Sequence, residues 1–187
     1  MIPIRVAGAT VEPVSLAEMR GYLRLDPDDA GAEDPLLRDL IAAARASLEA
    51  ETRRALVPGT YRIVLHRRPQ DGWVPIPLSP LVAVVRAESC GADGTVTALA
   101  PGLVALGPDP VEAPCLSIAP TIPFVPGHGL MIEVAAGYGG DGPPLPPPLK
   151  LAIQRLAAAR YEHRGDEAVS EAADPSALAA PFRRLRL

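Results

Sequence analysis

The apolar positions change their period along the chain, and the changes mark out the elements. From Ser15 to Leu25, Leu16, Met19 and Tyr22 or Leu23 recur at helical spacing, and Ser15-Leu-Ala-Glu18 forms a capping box ahead of them. Asp26-Pro27 stops this helix, because a residue before proline avoids the α region. A second, longer helix is predicted from about 35 to 56. Asp34 is its expected cap, Pro35 takes its first position, and Leu37, Leu40, Ile41, Ala44 and Leu48 share one face.

Between about 60 and 137 the period shortens. Runs of β-branched and apolar residues, Tyr61–Leu65, Val74–Leu78, Leu81–Ser89, Thr95–Leu99, Leu103–Leu106, Leu116–Ile118 and Leu130–Ala136, are cut by proline and glycine. Ala92-Asp93-Gly94 suits a hairpin turn, while Pro75, Pro77, Pro120, Pro123 and Pro126 point to edge strands and irregular connections. A third helix is predicted over about 148 to 164, with Leu149, Ile153, Leu156, Ala157 and Tyr161 on one face and Gly165 ending it.

The expected fold is α+β. Two N-terminal helices and one C-terminal helix form a small helical bundle, with an inserted proline-rich antiparallel β block and an extended C-terminal tail. At 187 residues and 48% hydrophobic content the chain can bury a core, and a single domain over 1–173 followed by a tail over 174–187 is expected. No run approaches the roughly 18 apolar residues of a membrane span. The N-terminus MIPIRVAGATVEP lacks the basic start and long apolar core of a signal peptide, so synthesis inside the cell and no membrane partner are expected.

A net charge of −4 argues against a general nucleic-acid binder, which normally carries a basic face. Seventeen of the 18 basic residues are arginine, which with 23 prolines reflects a GC-rich coding bias more than a function. Acid gathers at 26 to 34 and 162 to 174, whereas the end, Phe182-Arg-Arg-Leu-Arg-Leu187, carries three arginines and three large apolar groups.

Several chemical motifs start and fail. Gly137, Gly139 and Gly142 fit G-x-G-x-x-G, but Pro143, Pro144, Pro146, Pro147 and Pro148 delay the helix whose N-terminus would hold a pyrophosphate. No strand pattern follows that helix, so the glycines read as a turn before a proline stop. Asp26, Asp28, Asp29 and Gly31 open like a calcium loop, yet the twelfth position is Leu37 where a bidentate Glu is required. His66, His128 and His163 have no metal spacing, and Cys90 and Cys115 read as buried thiols. Glu49 and Glu51 point to different helix faces and cannot share a substrate. No catalytic residue, cofactor or metal site is expected, and the chain is not read as an enzyme.

The ordered set of P-V-S-L-A-E-M-R-G-Y-L-R-L from Pro13, L-L-R-D-L-I-A-A-A-R-A-S-L-E-A-E-T-R-R-A-L from Leu36, E-V-A-A-G-Y-G from Glu133, P-P-L-K-L-A-I from Pro147 and A-P-F-R-R-L-R-L from Ala180 resembles the head-tail connector proteins of tailed bacteriophages and gene transfer agents. The resemblance spans nearly the whole chain. It implies a virion adaptor without catalysis, assembled in the bacterial cytoplasm: a homo-oligomeric ring, usually of twelve copies, that docks beneath the portal protein and offers a platform to the tail-side stopper or tail terminator. DNA would be passing cargo only.

A ring of this kind needs two complementary surfaces on each subunit. Arg38, Arg45 or Arg53 on the long helix meeting an acidic loop that contains Asp28 and Asp29 on a neighbour would supply them. Phe182, Leu185 and Leu187 entering a groove on the portal, with Arg183, Arg184 and Arg186 pairing with its acids, would make the tail an anchor. Two other classes stand beside this one. A small DNA-binding or regulatory protein would need a recognition helix rich in exposed Arg, Asn or Gln, whereas the long helix alternates Arg with Glu and Asp. A β-rich ligand-binding module would explain 60 to 137 but not the helices.

Overall fold

A computed structural model describes residues 2–8, 11–26, 31–91, 93–124, 129–163 and 176–184. The chain is α+β and divides into two compact units, one formed by Met1–Ala9 with Val57–Pro143, the other by Thr10–Leu56 with Pro144–Leu187.

The first unit is all β. Its larger sheet contains β1 (Ile4–Gly8), β2 (Gly59–Leu65), β4 (Leu81–Cys90), β5 (Val96–Ala98) and β8 (Leu130–Ala136), in the order β1-β2-β8-β4-β5. Its smaller sheet runs β3-β7-β6, from β3 (Trp73–Pro75), β6 (Val104–Leu106) and β7 (Cys115–Ile118). Every pairing is antiparallel. Alternation explains the core: Tyr61, Ile63 and Leu65 on β2, and Leu130, Ile132, Val134 and Ala136 on β8, are buried, whereas Arg62, Val64, Met131 and Glu133 between them are not. Leu116, Ile118, Val74, Val104, Ile76 and Ile122 extend the buried set around the smaller sheet.

Two strands differ from expectation. β1 was not foreseen, although Ile2, Ile4 and Val6 alternate, because the run is short and contains Pro3; it forms the edge beside β2. β3 stops at Pro75 and does not reach Leu78, since proline has no N–H for the ladder.

The second unit is helical: α1 (Leu16–Leu23), α2 (Asp34–Thr52), α3 (Pro147–Glu162) and the short α4 (Ser176–Ala179), which runs into a 3-10 turn at Ala180–Phe182. α2 packs on α3, α1 touches both, and α4 lies against α2 and α3. Met19, Leu37, Ile41, Ala44, Leu48, Leu149, Ala152, Ile153 and Ala157 are buried together. The capping box is present: Ser15 Oγ accepts from the Glu18 N–H at 3.2 Å, and Glu18 Oε2 accepts from the Ser15 N–H at 2.9 Å.

Helix ends depart from the predicted ones for local reasons. α1 stops at Leu23 because Arg24 adopts a left-handed conformation (φ 54°), with the Leu25 N–H returning to the Arg20 carbonyl at 3.1 Å. Asp34 is not the cap of α2. Glu33 holds that position without a side-chain bond to the helix N-terminus, its carboxylate accepting instead from the Tyr161 hydroxyl, and the Asp34 carboxylate takes Arg20 Nη1 at 2.7 Å. α2 ends at Thr52, four residues before Leu56, because Arg53 is left-handed (φ 57°). Glu49 Oε1 then accepts from the Leu56 N–H at 2.8 Å, satisfying a donor that the helix no longer serves. Ala55, Leu56 and Val57 stay buried beyond the helix, so their apolar pattern says core and not helix.

Candidate interaction surfaces

α2 sets out the arginines that the sequence singled out, and it treats them differently. Arg38 is exposed, with 63% of its side chain open and a long 4.0 Å approach to Asp34. Arg45 is held inside its own unit: Nε and Nη2 donate to Glu12 at 2.7 and 3.1 Å, and Nη1 to Glu49 at 2.7 Å. Burial alone would push its guanidinium down, but the bonds to Glu12 and the nearby Glu49 charge outweigh this and hold it above its ordinary value. Arg53 is exposed at the left-handed cap; its N–H donates to the Glu49 carbonyl at 2.8 Å, and its side chain makes no hydrogen bond or ion pair among the described residues. Asp28 and Asp29 lie outside the described residues.

The beginning of the C-terminal tail docks on the last turn of α2. Ala179 is fully buried. The Arg184 N–H reaches the Thr52 carbonyl at 3.4 Å, and Arg183 Nε donates to Glu51 Oε1 at 2.8 Å. Arg54, which no sequence pattern had marked, organises this contact. It is only 3% exposed, its Nε donates to the Phe182 carbonyl at 2.8 Å, and its guanidinium lies 6.0 Å from the Phe182 ring centre. A buried cation needs such partners, because unpaired it would bear a large desolvation cost. Arg53-Arg54 looks like one basic pair in the sequence, yet one arginine is buried and the other open. Leu185, Arg186 and Leu187 lie outside the described residues.

Elsewhere charge serves structure. Glu133 on β8 stands directly across from Arg62 on β2 and Arg86 on β4, accepting at 2.8 and 3.2 Å. Hydrogen bonding from Arg62 first, then from Arg86, holds its carboxyl below the usual range. Lys150 on α3 does the same to Glu18 on α1, assisted by Ser15. Gly137, Gly139 and Gly140 all have positive φ, and the Gly139 N–H reaches the Pro143 carbonyl at 2.8 Å, so the glycine run is a turn. Among the described residues no three His, Cys, Asp or Glu gather where they would hold a metal ion.

No protein-family model and no curated protein matches the chain. Solved structures do. A chain in the neck of an empty gene transfer agent particle, computed with C6 symmetry, is 30% identical with a TM-score of 0.83, the match covering 100% of this chain and 97% of that one. A chain in the virion of a native gene transfer agent particle agrees equally well, at 30% identity, TM-score 0.83 and the same coverage. A chain in the native neck computed with C12 symmetry is 27% identical with a TM-score of 0.75, again covering 100% and 97%. The protein belongs to the head-tail connector family of tailed bacteriophages and gene transfer agents, a class of virion structural proteins.

Proposed function

We propose that the chain is one subunit of a homo-oligomeric ring in the virion neck, docked beneath the portal and joining the DNA-filled head to the tail or its stopper. What carries this reading is the full-length likeness to a chain from particle necks of C6 and C12 symmetry. Its role is architectural, with a channel left for DNA. Residues 1–173 act as one connector domain in which helices 1, 2 and 3 form the bundle and the β block is the insertion, and 174–187 act as the tail. Twelve copies close the ring, through contacts in which Arg38, Arg45 or Arg53 of one copy meet Asp28 and Asp29 of the next. Phe182, Arg183, Arg184, Leu185, Arg186 and Leu187 face the portal.

The test is reconstitution. Purified chain, examined by light scattering and negative-stain microscopy, is expected to form closed rings and to capture the portal from the same particle. A chain truncated after Ala180 is expected to form rings but lose the portal. Monomers at all concentrations, or unchanged capture by the truncated chain, would reject the corresponding half of the proposal.

A further inference from the structure

The docked tail brings two arginines, Arg183 and Arg184, to the end of α2, where Arg53 and Arg54 follow the last turn. Arg183 is bonded to Glu51, and the Arg184 backbone is bonded to Thr52. The whole chain is acidic, at −4, so this local excess of positive charge runs against the average. The negative end of a helix attracts cations, which accounts for arginine here in general. It does not account for the difference between the four. Arg54 is buried and bonded to the Phe182 carbonyl, whereas the Arg53 side chain is exposed without a partner among the described residues and Arg183 keeps 44% of its side chain open despite Glu51.

We propose that Arg53 and Arg183, displayed together on a root that Arg54 fixes through Phe182, form the contact surface for an acidic segment of the portal. This rests on the reading of the chain as a portal-docking connector and revises two of the residue assignments made there. Phe182 belongs to the root and does not enter the portal, because pulling it away would break the bond from the buried Arg54 to its carbonyl and the ring contact beside it. Arg53 belongs with the tail and not with the neighbouring subunit. Arg54 is a positioning residue: it does not touch the portal and acts by holding Phe182–Arg184 in register with Arg53.

The test uses the full-length ring and the purified portal, with Arg53→Glu, Arg183→Glu, Arg54→Met and truncation after Ala180. Arg53→Glu and Arg183→Glu alter exposed side chains, so they remain informative if the truncated chain misfolds. Each is expected to weaken portal binding about tenfold or more at low salt, less at high salt, with rings intact. Arg54→Met is expected to raise hydrogen exchange at the Arg183 and Arg184 amides and to lower portal affinity although both contact arginines remain; unchanged exchange there would overturn the role given to Arg54.

Loss of portal binding on truncation but not in Arg53→Glu would overturn the patch while leaving the connector reading standing. Rings that fall apart in Arg53→Glu, with portal affinity per subunit unchanged, would return Arg53 to the subunit interface and overturn it too. Loss of duplex DNA binding in place of portal binding would identify a phosphate surface and reject the acidic partner. If truncation leaves portal capture intact, the tail is not the portal anchor, and the patch is judged as an acid-binding surface with a polyglutamate peptide. Binding by the wild type that both reversals abolish would support it, and equal binding by all would reject it.

Discussion

Gly137 has φ near 120°, where side chains are strained, and a Cβ there would stand 2.2 Å from the Val57 carbonyl oxygen. Gly137→Ala is therefore expected to cost at least ~2 kcal/mol, read from the midpoint of urea unfolding at constant slope. The same residue begins the nucleotide-loop pattern, and the proline collar behind it was enough to reject that pattern from sequence alone. Ion pairs were less legible. Glu133 meets Arg62 and Arg86 only because three strands align, and those registers are long-range. Its carboxyl is lowered in the folded state, first by Arg62 and then by Arg86, so the native protein binds fewer protons than the unfolded chain. That stabilisation is fully present above the unfolded carboxylate value of about 4.3 and fades as pH falls through the lower native value. Glu133→Gln is expected to be less stable than wild type at neutral pH, with the gap closing on acidification. A gap that does not change with pH would mean that charge is not the cause.

At the scale of elements, long periodic patterns were readable and their ends were not. Leu37, Ile41, Ala44 and Leu48 fall on the buried face of α2 as their spacing requires. Ile41→Ala should cost ~2–5 kcal/mol, because the cavity lies between α2 and helices packed on it. The end of α2 turned on a left-handed Arg53 and on Glu49 capping the Leu56 N–H, contacts that no propensity encodes. The α1 start was legible because a capping box is local: Ser15→Ala should cost ~1 kcal/mol, seen as a lower thermal midpoint. Arg54 was invisible for the opposite reason. Its partner Phe182 is 128 residues away, and nothing in Arg53-Arg54 says which one is buried.

For the whole molecule, the order of elements along the chain carried the family, since motifs that are weak one by one are specific when taken together in order and spacing. The surfaces that join copies could not be read in the same way, because a ring contact pairs two different faces and one chain displays each without its partner. A closed ring nevertheless makes such contacts measurable. An exposed ion pair contributes only ~0.2–1 kcal/mol and would be lost in the noise of a monomer's stability. In a ring of the C12 order found in the native neck, every joint carries the same change, so the deficit is multiplied around the circle. Charge reversal of Asp28 and Asp29 is therefore expected to shift assembly to much higher protein concentration while leaving the thermal midpoint of the subunit within about 1 °C, since surface changes alter stability little. Adding Arg38→Glu to the reversed acids should restore assembly if Arg38, the exposed arginine of α2, is their partner across the joint. Rings that tolerate the reversal would sink this interface. Rings lost and not recovered by Arg38→Glu would keep the acidic loop in the joint and move its partner elsewhere.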